Sequence, residues 1–302
     1  MDLLTIDFET YYSSSYSLSK ITTEEYIRSK EFEVIGVAVK RNDEPTKWYS
    51  GAKEEVALWL RGFDWEHSMM LAHNTTFDGA IMNMQFGFKP KALADTLSMA
   101  RALHGTEVGG SLKALAEHYG VGVKGDAVLT AIGMKRESFT PAELAAYGEY
   151  CCNDVELTYE IFHKMLPAFP IQEMKLVDLT LRMFTEPKLV LHTLDLIEHL
   201  KAIHEKKSEL MSNVSVQRDT LMSNPKFAEW LEHKGVEVPM KISATTGRET
   251  YAFSKTDDGF KALLDHPDLE VQAMVAARLG VKSTLEETRT QRFIDISSRG
   301  LI

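Results

Sequence analysis

Three short acidic motifs in this chain have residue types and spacings that could hold a cation. The first is Asp7-Phe8-Glu9-Thr10. On a β-strand, residues i and i+2 face the same side, so Asp7 and Glu9 project together. Two carboxylates that close repel unless a cation sits between them; the alternative, for this pair alone, is a solvated strand end. The second motif is His73-Asn74-Thr75-Thr76-Phe77-Asp78. Asp78 falls in the first turns of a helix, where an acid complements the helix dipole whether or not it binds anything. His73 has no second histidine at a ligand spacing and reads as structural. The third runs from Tyr147 to Thr158. Tyr150 and Asp154 are i and i+4 on a helix and share a face. A phenol one turn from a carboxylate can bond a water that the carboxylate's metal also holds; alternatively Tyr150 packs and Asp154 is solvated. Oxygen donors of this kind suit Mg²⁺ or Mn²⁺.

The elements that must position these motifs follow from apolar spacing. Leu3 to Phe8 reads as a strand, as does the β-branched run from Phe32 to Lys40. Thr46 to Tyr49 pairs with the latter across the turn residues Asn42-Asp43-Glu44-Pro45. Met69 to Ala72 is a short buried strand, followed by a helix from Thr76 to Phe86 with a Gly87 stop. Residues 54–60, 96–103, 111–119 and 141–166 are helical. The first part is therefore α/β, a mixed sheet with helices after it. Beyond Pro167 and Pro170 the texture turns helical, over 171–213, 227–234, 260–264, 268–279 and 283–296, with 241–255 a polar exposed loop. The expected domains are 1–166 and 167–302.

Composition narrows the function classes. Among 302 residues, 34 Lys and Arg face 44 Asp and Glu, a net charge of −10. That excludes non-specific nucleic-acid binding by bulk electrostatics, but not binding at a metal-filled site, where divalent ions reverse the local sign. No apolar run approaches the roughly 18–20 residues of a membrane span. Met1 to Asp7 lacks the basic start of a secretory leader. The adjacent pair Cys151-Cys152 cannot staple a loop and reads as small reduced core residues, so the expected location is cytoplasmic. Gly105 to Lys113 superficially resembles a phosphate-binding loop, but its lysine does not follow the last glycine directly; it reads as a loop and helix N-cap.

Together, an acid pair on a first strand, an acid after a later strand and a Tyr/Asp pair on a subsequent helix resemble the three motifs of proofreading 3′–5′ exonucleases. The subgroup is the four-carboxylate, tyrosine-containing one found in family A DNA polymerases, matched by Asp7-x-Glu9, Asn74-x3-Asp78 and Tyr150-x3-Asp154. Asp95-Thr96 is similar to a supporting step of that family. The resemblance implies an RNase H-like fold for residues 1–166 and two divalent cations, Mg²⁺ or Mn²⁺, held by Asp7, Glu9, Asp78 and Asp154. Such a pair activates the attacking water and stabilises the leaving 3′ oxygen. It further implies that Tyr150 and Glu9 orient the water, that Asn74 and Thr10 contact substrate, and that single-stranded or frayed DNA 3′ ends are hydrolysed to 5′-monophosphates.

The helical half also has family character. Glu173 to Leu191 resembles the segment leading from exonuclease into polymerase. Lys241 to Lys255 and Leu279 to Thr284, with the step Lys282-Ser283-Thr284, resemble thumb sequence of bacteriophage members. By similarity, Lys282, Arg289 and Arg292 would face primer-template DNA; the alternative is a solvated amphipathic helix. The palm and fingers would follow Arg299-Gly300-Leu301-Ile302, so this chain is not expected to synthesise DNA alone. It reads as part of a split or truncated polymerase, with a separate palm-and-fingers chain as a possible partner. The alternative function is a structural subunit for that chain with little hydrolysis of its own. An RNA-trimming exonuclease is disfavoured by the thumb-like half.

Overall fold

The computed structural model describes residues 1–125 and 131–298. Its chain divides into two compact units, Met1–Lys188 and the residues from Leu189 onward.

In the first unit, a five-stranded sheet has the order β3-β2-β1-β4-β5. The strands are β1 (Leu3–Thr10), β2 (Val34–Arg41), β3 (Lys47–Tyr49), β4 (Met69–Ala72) and β5 (Ala92–Asp95). β1 pairs antiparallel with β2 and parallel with β4, so the sheet is mixed, as the sequence predicts. Both faces are covered, which explains why β1 is buried along most of its length. Leu4, Ile6 and Phe8 point into one core with α1 (Thr23–Arg28), α2 (Lys53–Leu60) and α3 (Thr75–Phe86). The opposite face packs Leu71 and Ala94 against α4 (Thr96–His104), α5 (Leu112–Tyr119) and the long α6 (Pro141–Met165). Thr140 starts α6 with a capping box to Glu143 and Pro141 in the first turn.

Several elements depart from the sequence expectations. β5 is absent from them because Ala92–Asp95 has no β-branched residue; it forms by pairing with β4, Ala72 opposite Asp95. The helical pattern over 171–213 is two helices, α7 (Ile171–Thr185) and α8 (Thr193–Ser212), interrupted around Pro187, which cannot continue a helix. α7 belongs to the first unit, so the units divide some twenty residues beyond the expected boundary. Asp178 accepts from Leu93 N at 2.8 Å, and Arg182 donates to Pro90 O and Lys91 O at 3.0 and 2.9 Å. Leu181 is buried in the first core.

The second unit gathers α9 (Arg218–Met222), α10 (Asn224–His233), α11 (Asp258–Ala262) and α12 (Leu269–Lys282) around Phe227, Leu231, Phe260, Val271 and Val275; α13 (Leu285–Ser297) follows. The expected loop 241–255 is instead a hairpin of β6 (Met240–Ile242) and β7 (Glu249–Tyr251), turned by Gly247 at φ 65°. β6 is exposed along its whole length, so no buried face marks it in the sequence. Arg299 to Ile302, where the resemblance has the chain stop short of palm and fingers, lie outside the described residues. Among the described residues, no helix is long and apolar enough to cross a membrane.

Trp48 of β3 sets the seat of α6 on the sheet. A Cβ on Gly148 of α6 would lie 2.6–2.8 Å from its indole atoms, and one on Gly36 of β2 would collide with the same ring. In an open helix, Gly→Ala gains up to about 1 kcal/mol, but overpacking costs about 1–3 kcal/mol, and here the neighbour is a rigid ring. Gly148→Ala is therefore expected to destabilise the chain by about 1–2 kcal/mol, read as a lowered urea midpoint with an unchanged slope. An unchanged or raised midpoint would show that Trp48 does not set the helix position.

Candidate active site

The sheet register brings the acids together. Asp7 and Glu9 project from the α6 face of β1, and across β2 they stand opposite the small residues Ala38 and Gly36, over which Cys151 and the Trp48 ring pack. The register shifts between Glu9 and Thr10, a local irregularity where the strand ends. Asp78 reaches the same strand from the first turn of α3, its Oδ1 accepting from Phe8 N at 3.1 Å. Asp154 comes from α6, on the helix face that packs on the sheet. Glu9, Asp78 and Asp154 are buried at 9%, 2% and 5% relative exposure, so this is not a solvated strand end.

The electrostatics follow from that burial. The Asp7 carboxyl is pushed up to about 7, by loss of water first and the Asp154 charge second. Glu9 and Asp78 are also raised well above the carboxylate range, by burial and then by Asp7. Asp154 is raised less, because Lys124 pairs with its Oδ2. Among the described residues, its Oδ1 is buried without a hydrogen-bond partner. Ligand atoms of Asp7, Glu9 and Cys151 lie within 4.8 Å of one another. Buried carboxylates that outnumber their cations, with an unused oxygen among them, are a donor set that fits hard divalent ions.

Around the acids stand residues that sequence reasoning missed. Tyr147 OH donates to Glu9 Oε2 at 2.6 Å, and its ring stacks on Tyr150 at 6.2 Å between centroids. Tyr147 is three residues before Tyr150 on the same helix, and that spacing is the signal that could have found it. Burial raises both phenols far above their ordinary value, Tyr147 also through Glu9 and Tyr150 through Asp154, so both stay protonated as donors. The Cys151 thiol, read from sequence as a core residue only, is fully buried and donates to Asp7 O and Oδ2 at 3.4 Å.

The remaining expected residues divide into groups. Asn74 adopts a left-handed conformation at φ 72° and its side chain is exposed. Asp95 has a structural role: it accepts from Asn74 N, Thr75 N, Leu97 N and Ser98 N and so ties the motif turn to the start of α4. His73 bonds Thr96 Oγ1 at 2.9 Å. The Thr10 hydroxyl is buried and bonded to Tyr26 OH at 2.8 Å. Thr10 nonetheless lines a pocket of about 280 Å³ next to Glu9, walled by Phe8, Tyr12, Leu18, Tyr26 and Phe77. Lys282, Arg289 and Arg292 are exposed on the second unit. Lys282 lines a 370 Å³ cavity with Arg278, both bonded to Asn224 Oδ1 at 2.5 Å. Arg292 lines a different groove, beside His204 and Arg218.

With this geometry in place, comparison with known proteins defines the class. The sequence model for 3′-5′ exonuclease (DNA_pol_A_exo1) matches residues 6–169, more than half of the chain. The chain belongs to this 3′-5′ exonuclease family, and its first unit has the family's RNase H-like fold. Members of the family use divalent metals. No curated protein sequence matches the chain. Among solved structures, NrnC of Brucella melitensis aligns at TM-score 0.44 and 15% identity, covering 61% of this chain and 83% of that one. RNase D of Trypanosoma brucei, in complex with RNA U12, aligns at 0.41 and 14%, covering 53% and 54%. The catalytic core of RRP6 from Trypanosoma brucei aligns at 0.43 and 12%, covering 98% and 73%.

The raised Asp7 pKa makes a stability prediction for the metal-free chain. An acid whose folded pKa exceeds its unfolded value costs nothing below the unfolded pKa, about 4, and destabilises increasingly as pH rises through about 7. Asp7→Asn should therefore raise the melting midpoint in EDTA at pH 8, by about 2 kcal/mol in stability, and leave it nearly unchanged at pH 4. Equal effects at both pH values would mean that the carboxylates are not in mutual strain.

Proposed function

We propose that the chain is a metal-dependent 3′–5′ exonuclease of the proofreading kind, which hydrolyses single-stranded or frayed DNA 3′ ends to nucleoside 5′-monophosphates. The observation that carries this reading is the gathering of Glu9, Asp78 and Asp154, from β1, α3 and α6, around Asp7, close enough that their charges act on one another, next to an aromatic pocket. Asp7, Glu9, Asp78 and Asp154 would hold two divalent cations, Mg²⁺ or Mn²⁺, which when bound supply a nucleophilic water at neutral pH and charge stabilisation at the leaving 3′ oxygen.

The chain's own residues do the rest. Tyr147 fixes the Glu9 carboxylate through its hydrogen bond. Tyr150, protonated at working pH, offers an O–H at the site and orients the attacking water together with Glu9. The aromatic pocket receives the terminal nucleoside by stacking, which is tolerant of sequence. Thr10 bounds that pocket, and the exposed Asn74 lies at the motif turn as a substrate contact.

The same reading assigns residues 1–166 as the exonuclease domain and 167–302 as a thumb-like segment of a family A polymerase, acting in the cytoplasm. The lysine and arginines at 282, 289 and 292 would then contact primer-template DNA, with a separate polymerase chain as a partner. The thumb resemblance is what favours DNA over RNA as substrate.

The test is a gel assay with 5′-labelled single-stranded DNA and RNA of one sequence, in Mg²⁺, Mn²⁺ or EDTA. A ladder shortening from the 3′ end of DNA, absent in EDTA, is expected. Asp154→Ala should slow it more than about 100-fold, since loss of a group that merely orients a ligand costs 10–100-fold. Tyr150→Phe should slow it by about 10–100-fold. Intact DNA under every metal condition would leave the chain as a structural subunit, and preferential shortening of RNA would reverse the substrate assignment.

A further inference from the structure

One cation already stands in the carboxylate cluster. The Lys124 ammonium pairs with Asp154 Oδ2 and lies 5.1 Å from the centre of the Tyr150 ring. Its position is built by its neighbours and is not one reach of a long side chain among many. Gly122, at φ 147°, sits against Leu157, where a Cβ would come within 2.8 Å of Cδ2. Asn153 Nδ2 donates to Val123 O at 3.1 Å. A Cβ on Gly125 would lie 3.2 Å from Tyr150 Cδ2. Tyr150, Asn153, Asp154 and Leu157 fall at helical spacings of three and four, so residues 122–125 lie along the face of α6 that carries Asp154.

This placement has a chemical consequence. Asp7, Glu9, Asp78 and Asp154 together carry up to four negative charges, and the ammonium answers one of them. Asp154 Oδ2 is taken by the lysine while Oδ1 has no partner. A divalent ion that takes both oxygens of Asp154 must take the place of the ammonium, and one that takes Oδ1 alone meets its positive charge beside it. Lysine is suited to such an exchange, being a hydrated point charge on a flexible stem, and its side chain here retains 27% exposure against 7% for Asp154.

We propose that Lys124 is a displaceable counter-cation. It neutralises Asp154 in the metal-free chain, competes with the divalent ion for that carboxylate, and so sets the metal concentration at which the site fills. The inference rests on the reading of the four acids as metal ligands.

Mn²⁺ titration of the metal-free chain, with free ion followed by electron paramagnetic resonance and no nucleic acid present, separates the two. Lys124→Met should bind Mn²⁺ about tenfold more tightly than the unmodified chain, equivalent to 1.4 kcal/mol. Its metal-free melting midpoint should fall, because Asp154 is left buried without its cation. Lys124→Arg keeps the competing charge and should stay within about threefold of the unmodified affinity. Lys124→Gln keeps a donor to Asp154 without charge and should show the same gain as methionine, which covers the case in which the methionine variant does not fold. Unchanged or weaker Mn²⁺ binding in the uncharged variants, with binding lost in Asp7→Asn, would overturn the counter-cation and leave the ligand reading standing. Full Mn²⁺ affinity in Asp7→Asn would overturn both.

Discussion

The constraint on which the rest of this structure depends is the confinement of four carboxyl groups to one neighbourhood in which Glu9, Asp78 and Asp154 are buried. Charge removed from water without compensation is costly, and the fold limits the cost in several local ways. Backbone N–H of Phe8 answers Asp78, the Tyr147 phenol answers Glu9, and the Cys151 thiol answers Asp7. Each is a single donor, and among the described residues Lys124 is the cation that answers the cluster directly. The compensation is deliberately partial in its effect: the acids stay strained upward in pKa, and strain of that sign favours whatever multivalent cation arrives.

Asp95 shows why position in a motif is not sufficient. It lies in the same neighbourhood and is as buried as Asp78, each at 2% exposure. Yet both of its oxygens are consumed, Oδ1 by Asn74 N, Thr75 N and Leu97 N, and Oδ2 by the Ser98 amide and hydroxyl. A carboxylate so satisfied has little left to offer a metal, and it serves to clamp the turn that delivers Asp78. Asp154, with one oxygen idle, is the opposite case. Hydrogen-bond accounting thus separates a scaffold acid from a proposed ligand acid where residue type does not.

Much of this was legible in the sequence because it rests on short-range periodicity. The i, i+2 spacing of Asp7 and Glu9, the i, i+4 spacing of Tyr150 and Asp154, and the long α6 pattern are local facts. What escaped depends on tertiary contact. β5 becomes a strand only against β4, and α7 joins the first unit only because Asp178 and Arg182 find backbone partners around residues 90–93. Lys124 sits in a glycine-rich stretch without periodicity, and its partner is thirty residues away. Tyr147 was within reach of the same helical reasoning that found Tyr150, but two tyrosines on one face cannot be ranked until the sheet shows which of them meets Glu9.

A net charge of −10 would be a handicap for a protein that grips nucleic acid by its backbone. The proposed function removes the difficulty by placing affinity elsewhere. The pocket beside Glu9 is walled by Phe8, Tyr12, Tyr26 and Phe77, and stacking on aromatic rings contributes roughly 1–3 kcal/mol per base whatever the charge of the surface. On the proposed reading, attraction for the phosphate would be supplied only where a divalent ion reverses the sign of the cluster. A metal-free site would then repel the substrate, and a loaded one would attract it at the bond to be broken. Acidity of the chain, burial of its carboxylates and the proposed dependence on metal would be three aspects of one electrostatic arrangement.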